Sequence, residues 1–333
     1  MTIQFTILGL NQIGASIGLA LGKLKDQVTR IGNDREPTTA RQAAKIGAVD
    51  KVVVNLPSAV QNADVVILAL PVDEIRETIE VIAQDLKAGC VLVDTSSTHS
   101  AVAKWAKELL PGEDRYFISM TPSINPAYLM EMGISIDQAH ADLFNKSMMV
   151  ITSPPGTDES ALELASNLSA ALGATPLFSE TTEADSLLAY SHLLPELLAA
   201  ALINVTTEQP GWREARKLAG PIYALTTQAA AQINETKALG QTALLNGQNI
   251  TRMLDEVIRE LHTLRNAIEA QDSEQLKERL EHATTARAEW LSLRHRGEWE
   301  PRNQGPAAPS GGEVLGRLFG FRPRKDKEKD QRK

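Results

Sequence analysis

The residues of this 333-residue chain whose types and spacing could do chemistry begin with a turn, Gly9-Leu10-Asn11-Gln12-Ile13-Gly14. It lies between an apolar run, Ile3 to Leu8, and a helical run, Ala15 to Leu24. A glycine turn that feeds a helix aims free N–H groups and the positive end of the helix dipole at one spot, which is chemistry for a pyrophosphate. Asn33-Asp34-Arg35 follows a second apolar run, with Asp34 twenty residues beyond Gly14. A carboxylate there meets ribose hydroxyls and repels a 2′-phosphate, so the expected cofactor is NAD, with NADP left open by the neighbouring Arg35. Leu70-Pro71 and Ser96-Ser97 sit at two further strand ends. Ser97 suits either a substrate contact or a helix cap. His192, on a leucine-rich segment, is a candidate base; His99, in the first turn of a helix, is expected to be solvated. Glu196, Asn125 and Tyr190 are polar candidates for lining the same crevice. No Cys/His cluster has metal-ligand spacing, so no metal is expected.

For these groups to converge, the chain must build a parallel sheet. Asp64 to Pro71 and Cys90 to Asp94 read as buried strands. Helices are expected over Pro37 to Gly47 and Asp73 to Leu86, and from Thr95-Ser96-Ser97-Thr98 to Leu109. Shorter strands are expected at Lys51 to Val54, Tyr116 to Met120, Met148 to Thr152 and Ala174 to Phe178, with a helix over Ser160 to Leu172 before the last. This alternation is that of an α/β, doubly wound, Rossmann-type sheet, whose ligands bind at the carboxyl ends of the strands. From Glu183 strand signals stop and helical ones take over. In the run Thr242 to Ala270, Ile250, Met253, Leu254, Val257, Ile258, Leu261, Leu264 and Ile268 recur at steps of three and four, a stripe too long for a small bundle to cover. Asp272 with Gln275 restarts a helix that carries on to about Leu293. A partner subunit, giving a homodimer, is the expected cover. The expected domains are 1–180 (dinucleotide-binding), 181–296 (helical, for dimerisation and substrate) and 297–333 (Gly/Pro-rich linker and basic tail).

Composition narrows the function classes. Hydrophobic residues make up 43% and charged residues 23%, as in globular proteins. No signal-peptide pattern and no membrane-spanning apolar run is evident, and one cysteine, Cys90, allows no disulfide framework. A cytoplasmic protein is expected. From Glu313 onward eight Lys/Arg face four Asp/Glu, so the chain's net −8 becomes −12 over what precedes, a charge that disfavours nucleic acid. Gly305 to Gly312 is a linker by composition, and the octapeptide Val314 to Phe321 is a possible partner motif.

Taken together, Gly9-x-x-x-x-Gly14-Ala15-Ser16-Ile17-Gly18, Ala69-Leu70-Pro71-Val72, Val93-Asp94-Thr95-Ser96-Ser97 and Ala141-Asp142-Leu143-Phe144 resemble the prephenate/arogenate dehydrogenases. So do Pro155 to Asp158, Ala171-Leu172-Gly173-Ala174 and Pro195 to Leu202, and the resemblance runs through about residues 3–290. It implies oxidative decarboxylation of prephenate or arogenate in tyrosine biosynthesis, with a helical dimerisation domain and Ser97 contacting substrate and nicotinamide. Three positions depart from the family pattern. Thr121 stands where the family has a histidine in a Gly-Gly-His-Pro-type segment, and Ala219 to Gln228 lacks the arginine that holds a substrate carboxylate. With Pro195 aligned, Leu193 and Glu196 occupy two histidine positions, and His192 stands one place away. His192 is then the candidate to replace the missing base. The alternatives are a 3-hydroxyacid-type dehydrogenase, disfavoured by the absence of lysine between Glu183 and Thr207, and a dinucleotide-binding sensor or scaffold dimer.

Overall fold

The computed structural model describes residues 2–24, 26–112, 114–131, 133–231 and 236–297. The linker at 305–312 and the octapeptide at 314–321 lie outside the described residues. The first half alternates β1 (Ile3–Leu8), α1 (Gln12–Leu21), β2 (Val28–Asn33), α2 (Pro37–Lys45), β3 (Lys51–Val52), α3 (Leu56–Val60), β4 (Val65–Leu68) and α4 (Val72–Ile82). It continues through β5 (Val91–Asp94), α5 (His99–Leu109), β6 (Tyr116–Pro122), β7 (Ser147–Thr152), α6 (Glu159–Leu172) and β8 (Ala174–Phe178). The eight strands form one sheet in the order β3-β2-β1-β4-β5-β6-β7-β8. Every pairing is parallel except β6 with β7, which is antiparallel. The reversal follows from a long β6–β7 connection (123–146) that contains only short 3₁₀ turns among its described residues, so no crossover helix carries the chain back.

Alternate residues of each strand serve opposite faces. Val65 and Ile67 join Phe5, Ile7 and Ile118 in a core under α1 and α6, while Val66 and Leu68 join Leu8, Leu92 and Phe117 under α4 and α5. Both faces are covered, as the near-continuous apolar run of β4 requires.

The second half is helical: α7 (Thr181–Leu188), a π turn at Ala189–Leu193, α8 (Leu194–Thr207), α9 (Trp212–Ala215), α10 (Pro221–Thr227), α11 (Thr236–Leu245), α12 (Gly247–Glu269) and α13 (Ser273–Arg296). The expected single run from Thr242 to Ala270 is two helices, broken at Asn246, whose side chain donates to the Asp185 carbonyl at 2.7 Å. Ile250, Met253, Leu254 and Val257 of the stripe pack on Leu193, Leu194, Leu197 and Leu198. Its distal members Ile258, Leu261 and Ile268 are 50%, 59% and 61% exposed, an apolar face that is open among the described residues. Asp272 caps α13 by accepting from Gln275 N at 3.0 Å, as its spacing suggests, and the helix runs on to Arg296. The helical run Thr181–Thr207 is long and apolar enough, by length and composition, to cross a bilayer. Scanning for unbroken apolar stretches passes over it because Glu183, Asp185 and Glu196 interrupt the run.

Candidate active site

Gly9 ends β1 at a φ of +89°, and a Cβ there would lie 2.2 Å from the Ala69 carbonyl oxygen. At Gly14 a Cβ would lie 2.0 Å from Gly9 O, so only hydrogen lets α1 approach the strand ends this closely. Asn11, where a second glycine is usual, caps the helix instead: its Oδ1 accepts from Gly14 N at 3.0 Å and its Nδ2 donates to Ala69 O at 3.0 Å. Gln12 N donates to Ile134 O at 2.8 Å, which seats the β6–β7 connection on the turn. Gln12 Nε2 is buried with no hydrogen-bond partner among the described residues, a donor in need of an acceptor. Asp34 accepts from Leu10 N through Oδ2 at 2.8 Å and from Glu36 N through Oδ1 at 2.8 Å, fixing the carboxylate beside the turn. The glycine cradle, the orphaned buried amide and the placed carboxylate fit a dinucleotide.

Two residues of the Asn33-Asp34-Arg35 group are engaged elsewhere. Asn33 is buried, and its amide donates to Val53 O at 2.8 Å and Val54 O at 2.9 Å, tying β2 to the segment after β3. Arg35 is exposed and pairs with Glu74, with Glu36 at 3.9 Å.

A cavity of about 1080 Å³ opens beyond the carboxyl ends of β4, β5 and β6. Ile13, Leu70, Pro71, Ser96, Ser97 and Thr121 line it from the sheet side, and Tyr190, His192 and Glu196 from the helical side. Trp290, Leu293 and Arg294 close it from α13, their spacing placing all three on one helix face. Asn125 is not part of this lining: its side chain shapes the loop, accepting from Ala127 N at 3.0 Å and donating to Asp142 O at 3.1 Å.

Below Ser96 the buried Asp94 accepts from Ser96 N at 3.0 Å and from Ser96 Oγ at 2.9 Å. Burial pushes its carboxyl up to about 6. Ser97 makes no cap for α5, and neither does Thr98. The cap comes from the helical half: Asp185 of α7 accepts from His99 N at 2.8 Å and Ser100 N at 3.1 Å. Burial raises the Asp185 carboxyl above its ordinary value.

His99 is not solvated, as its place in the first turn suggests, but completely buried. The reason is the Asp185 cap, which brings α7 over this helix end. His99 Nε2 lies 2.7 Å from Thr121 Oγ, and Nδ1 lies 2.9 Å from Thr152 Oγ. Thr121 Oγ has one proton and donates it to Ser96 O, so Nε2–H donates to Thr121, and Nδ1 accepts from Thr152. Burial pulls the His99 pKa down to about 4, so the imidazole is neutral and holds the Thr121 hydroxyl at the cavity floor.

His192 reaches the cavity through the π turn. Pro195 has no N–H for the carbonyl four residues back, and Leu194 N instead reaches five residues back, to Ala189 O. The extra residue rotates what precedes Pro195 by about 100° relative to α8, so an offset of one place counted from Pro195 does not remove His192 from the site. Ser191 Oγ donates to Leu187 O at 2.7 Å and lies 2.9 Å from His192 Nδ1. Nδ1–H is therefore a donor, and Nε2 carries the lone pair. His192 is exposed, its ring surface opening into the cavity, and the protein that surrounds the cavity lowers its pKa through desolvation.

A dinucleotide cradle, a carboxylate beside it and a cavity shared with a helical half define a nucleotide-dependent dehydrogenase. The comparisons narrow the class. Residues 17–177 match the family described as prephenate dehydrogenase, nucleotide-binding domain, and residues 180–282 match prephenate dehydrogenase, dimerization domain. The chain belongs to the prephenate dehydrogenase family and is a dehydrogenase of that type. It is 28% identical over 272 residues to the prephenate dehydrogenase of Bacillus subtilis (strain 168), covering 80% of this chain and 71% of that one. To the cyclohexadienyl dehydrogenase of Zymomonas mobilis it is 25% identical over 286 residues, 85% and 94% of the two chains. Its fold matches that of prephenate dehydrogenase from A. aeolicus in complex with hydroxyphenyl propionate and NAD+, with a TM-score of 0.74 at 19% identity over 87% of this chain and 98% of that one.

His99, Asp185 and Arg294 escape a reading of the sequence. The first two depend on a contact across 86 residues, and Arg294 carries only the signal of a basic residue near a helix end, which is common.

Proposed function

We propose that the protein catalyses NAD-dependent oxidative decarboxylation of arogenate or prephenate, with His192 as proton acceptor. The observation that carries this reading is the single cavity that joins Ile13, Leu70, Pro71 and Ser96 of the dinucleotide side to His192 of the helical side, with Ser97 and Thr121 at its floor. The bound dinucleotide would accept a hydride. Gly9, Leu10, Asn11, Gln12, Ile13 and Gly14 would surround its pyrophosphate, and Asp34 its adenosine ribose, a carboxylate that favours NAD over NADP. Ser97 would hold the substrate hydroxyl, while Thr121, its proton committed to Ser96 O and its oxygen pinned by His99, would shape the cavity floor beside it. His192 Nε2 would take the hydroxyl proton, its neutral form favoured at physiological pH by the lowered pKa.

The protein would act as a homodimer through the helical half, in the proposed domain 181–296. Supporting this are the match to the family's dimerisation domain and the exposed Ile258, Leu261 and Ile268. The test of activity is a steady-state assay of NADH formation with each acid, beside direct titration of NAD and NADP. Turnover with either acid supports the reading. Firm NAD binding with no turnover on either overturns it.

A further inference from the structure

The match to the family's dimerization domain ends at residue 282, before the middle of α13. The helix turns back along α12, to which Arg279 ties it by bonds to Glu260 of 3.0 and 2.6 Å, and its last turns reach the nucleotide-binding half. Two contacts seat them there. Just past β6, Ile124 O accepts from Nη2 of the buried Arg294 at 2.5 Å. Just before β7, Lys146 lies against Gly297, which ends the helix at a φ of +62°, so closely that a Cβ on the glycine would be 2.8 Å from Lys146 Cβ. Trp290 and Leu293 share a helix face with Arg294 and line the cavity together with Pro122 and Ile124 of the β6 end, although they are 51% and 41% exposed. Large apolar side chains left open to a cavity mark a surface for an apolar ligand group. Strand order says which ligand. Asp34 follows β2 and the glycine turn follows β1, so a dinucleotide with its adenosine ribose at Asp34 runs toward β4 and β5, and β6 lies beyond them on the side left for substrate.

We propose that the last turns of α13, residues 283–296, close the substrate end of the cavity, with Trp290 and Leu293 as the wall against which the ring of a cyclic carboxylic acid packs and Arg294 as the positioning residue that holds this wall to Ile124. The inference rests on the function proposed above and adds to it the residues that fix how large an acid the site accepts. A wall of this kind discriminates by volume: an acid that fits gains apolar contact with the indole, and a bulkier one collides with it. Arg294 acts on binding through that wall, so its removal loosens discrimination in the same way as removal of the indole.

The experiment compares two acids that differ in ring size, 3-(4-hydroxyphenyl)propionate and the larger 3-(2-naphthyl)propionate, with binding of each to the NAD-loaded protein read by calorimetry without turnover. The wild type is expected to bind the hydroxyphenyl acid at least tenfold more tightly. Trp290→Ala should weaken that acid by roughly tenfold to a hundredfold and leave the naphthyl acid no weaker, so that the preference narrows or inverts while NAD affinity stays unchanged. Trp290→Phe should keep most of the preference. Arg294→Gln should lose discrimination as Trp290→Ala does, Arg294→Lys should restore part of it, and joining Arg294→Gln to Trp290→Ala should add little, because both release one wall. In turnover, Trp290→Ala should raise KM by about tenfold or more and change kcat less than about threefold. An unchanged KM, an equal loss of both acids, or a Trp290→Ala protein that light scattering shows to have lost its dimer overturns the inference while leaving the dehydrogenase reading in place. Failure of both acids to bind the wild type, with no turnover on prephenate or arogenate, overturns both.

Discussion

Replacing His99 with glutamine should change how stability depends on pH, and the direction follows from the structure. In the native state His99 titrates at about 4, against an ordinary value of 6.5. Between these values the unfolded chain binds a proton that the native protein does not, so acidification through this window costs the native state roughly 3 kcal/mol. Asp94 has the opposite sign. Its carboxyl titrates at about 6 in the native state against 3.8, so over that range the native protein holds the extra proton and gains roughly 3 kcal/mol on acidification. The two nearly offset each other in the wild type. His99→Gln removes one of them. At about pH 7 the variant should be less stable by about 1–3 kcal/mol, through its weakened bonds to Thr121 and Thr152. As the pH falls from 6.5 to 4 the deficit should shrink and close, because the variant no longer has the group that penalises acid. Urea unfolding of both proteins at one protein concentration, followed by circular dichroism at several pH values, reads the difference directly. Other titrating groups are common to both and cancel. A deficit that stays constant across the window would show that His99 is not held neutral, and with it that the buried contact to Thr121 is misread.

Three further outcomes are expected. Gly14→Ala places a methyl group 2.0 Å from the Gly9 carbonyl oxygen, so NAD affinity measured by fluorescence titration should drop by more than about tenfold. Asp34→Ala should relax the preference for NAD over NADP in the same titration, since it removes both the repulsion of a 2′-phosphate and the acceptor for Leu10 N. Asp185→Ala uncaps α5 across the contact between the two halves and should lower stability by about 1–2 kcal/mol, read as a fall in the urea midpoint.

Much of the nucleotide-binding half is legible in the residues. Asp64 to Pro71 is apolar and ends in proline, so β4 has no competing reading, and Gly9 and Gly14 mark a turn that only they can make. Boundaries were less readable: β3 shrinks to Lys51–Val52, and Leu56–Val60 forms a short helix behind an Asn55 cap that no periodicity announces in five residues. In the candidate site, Ser96, Ser97, Thr121 and His192 are legible because strand ends and a leucine-rich helix place them. The bonds that set their chemistry are not. His99 looks like any first-turn histidine until α7 covers it, and the π turn follows from a proline acting with packing that a one-dimensional pattern does not contain. Arg294 enters the cavity only because α13 folds back to Ile124, 170 positions earlier in the chain.

Whether His192 accepts the substrate proton in place of the family histidine is read from kcat as a function of pH for the wild type and for His192→Gln, with whichever acid turns over faster. The wild type should lose kcat on acidification with a midpoint below the ordinary 6.5 of histidine, as its lowered pKa requires. The variant should retain NAD binding, lose about a hundredfold to ten-thousandfold in kcat, and no longer show that acid limb. Full kcat in His192→Gln, with the acid limb intact, would show that another group accepts the proton.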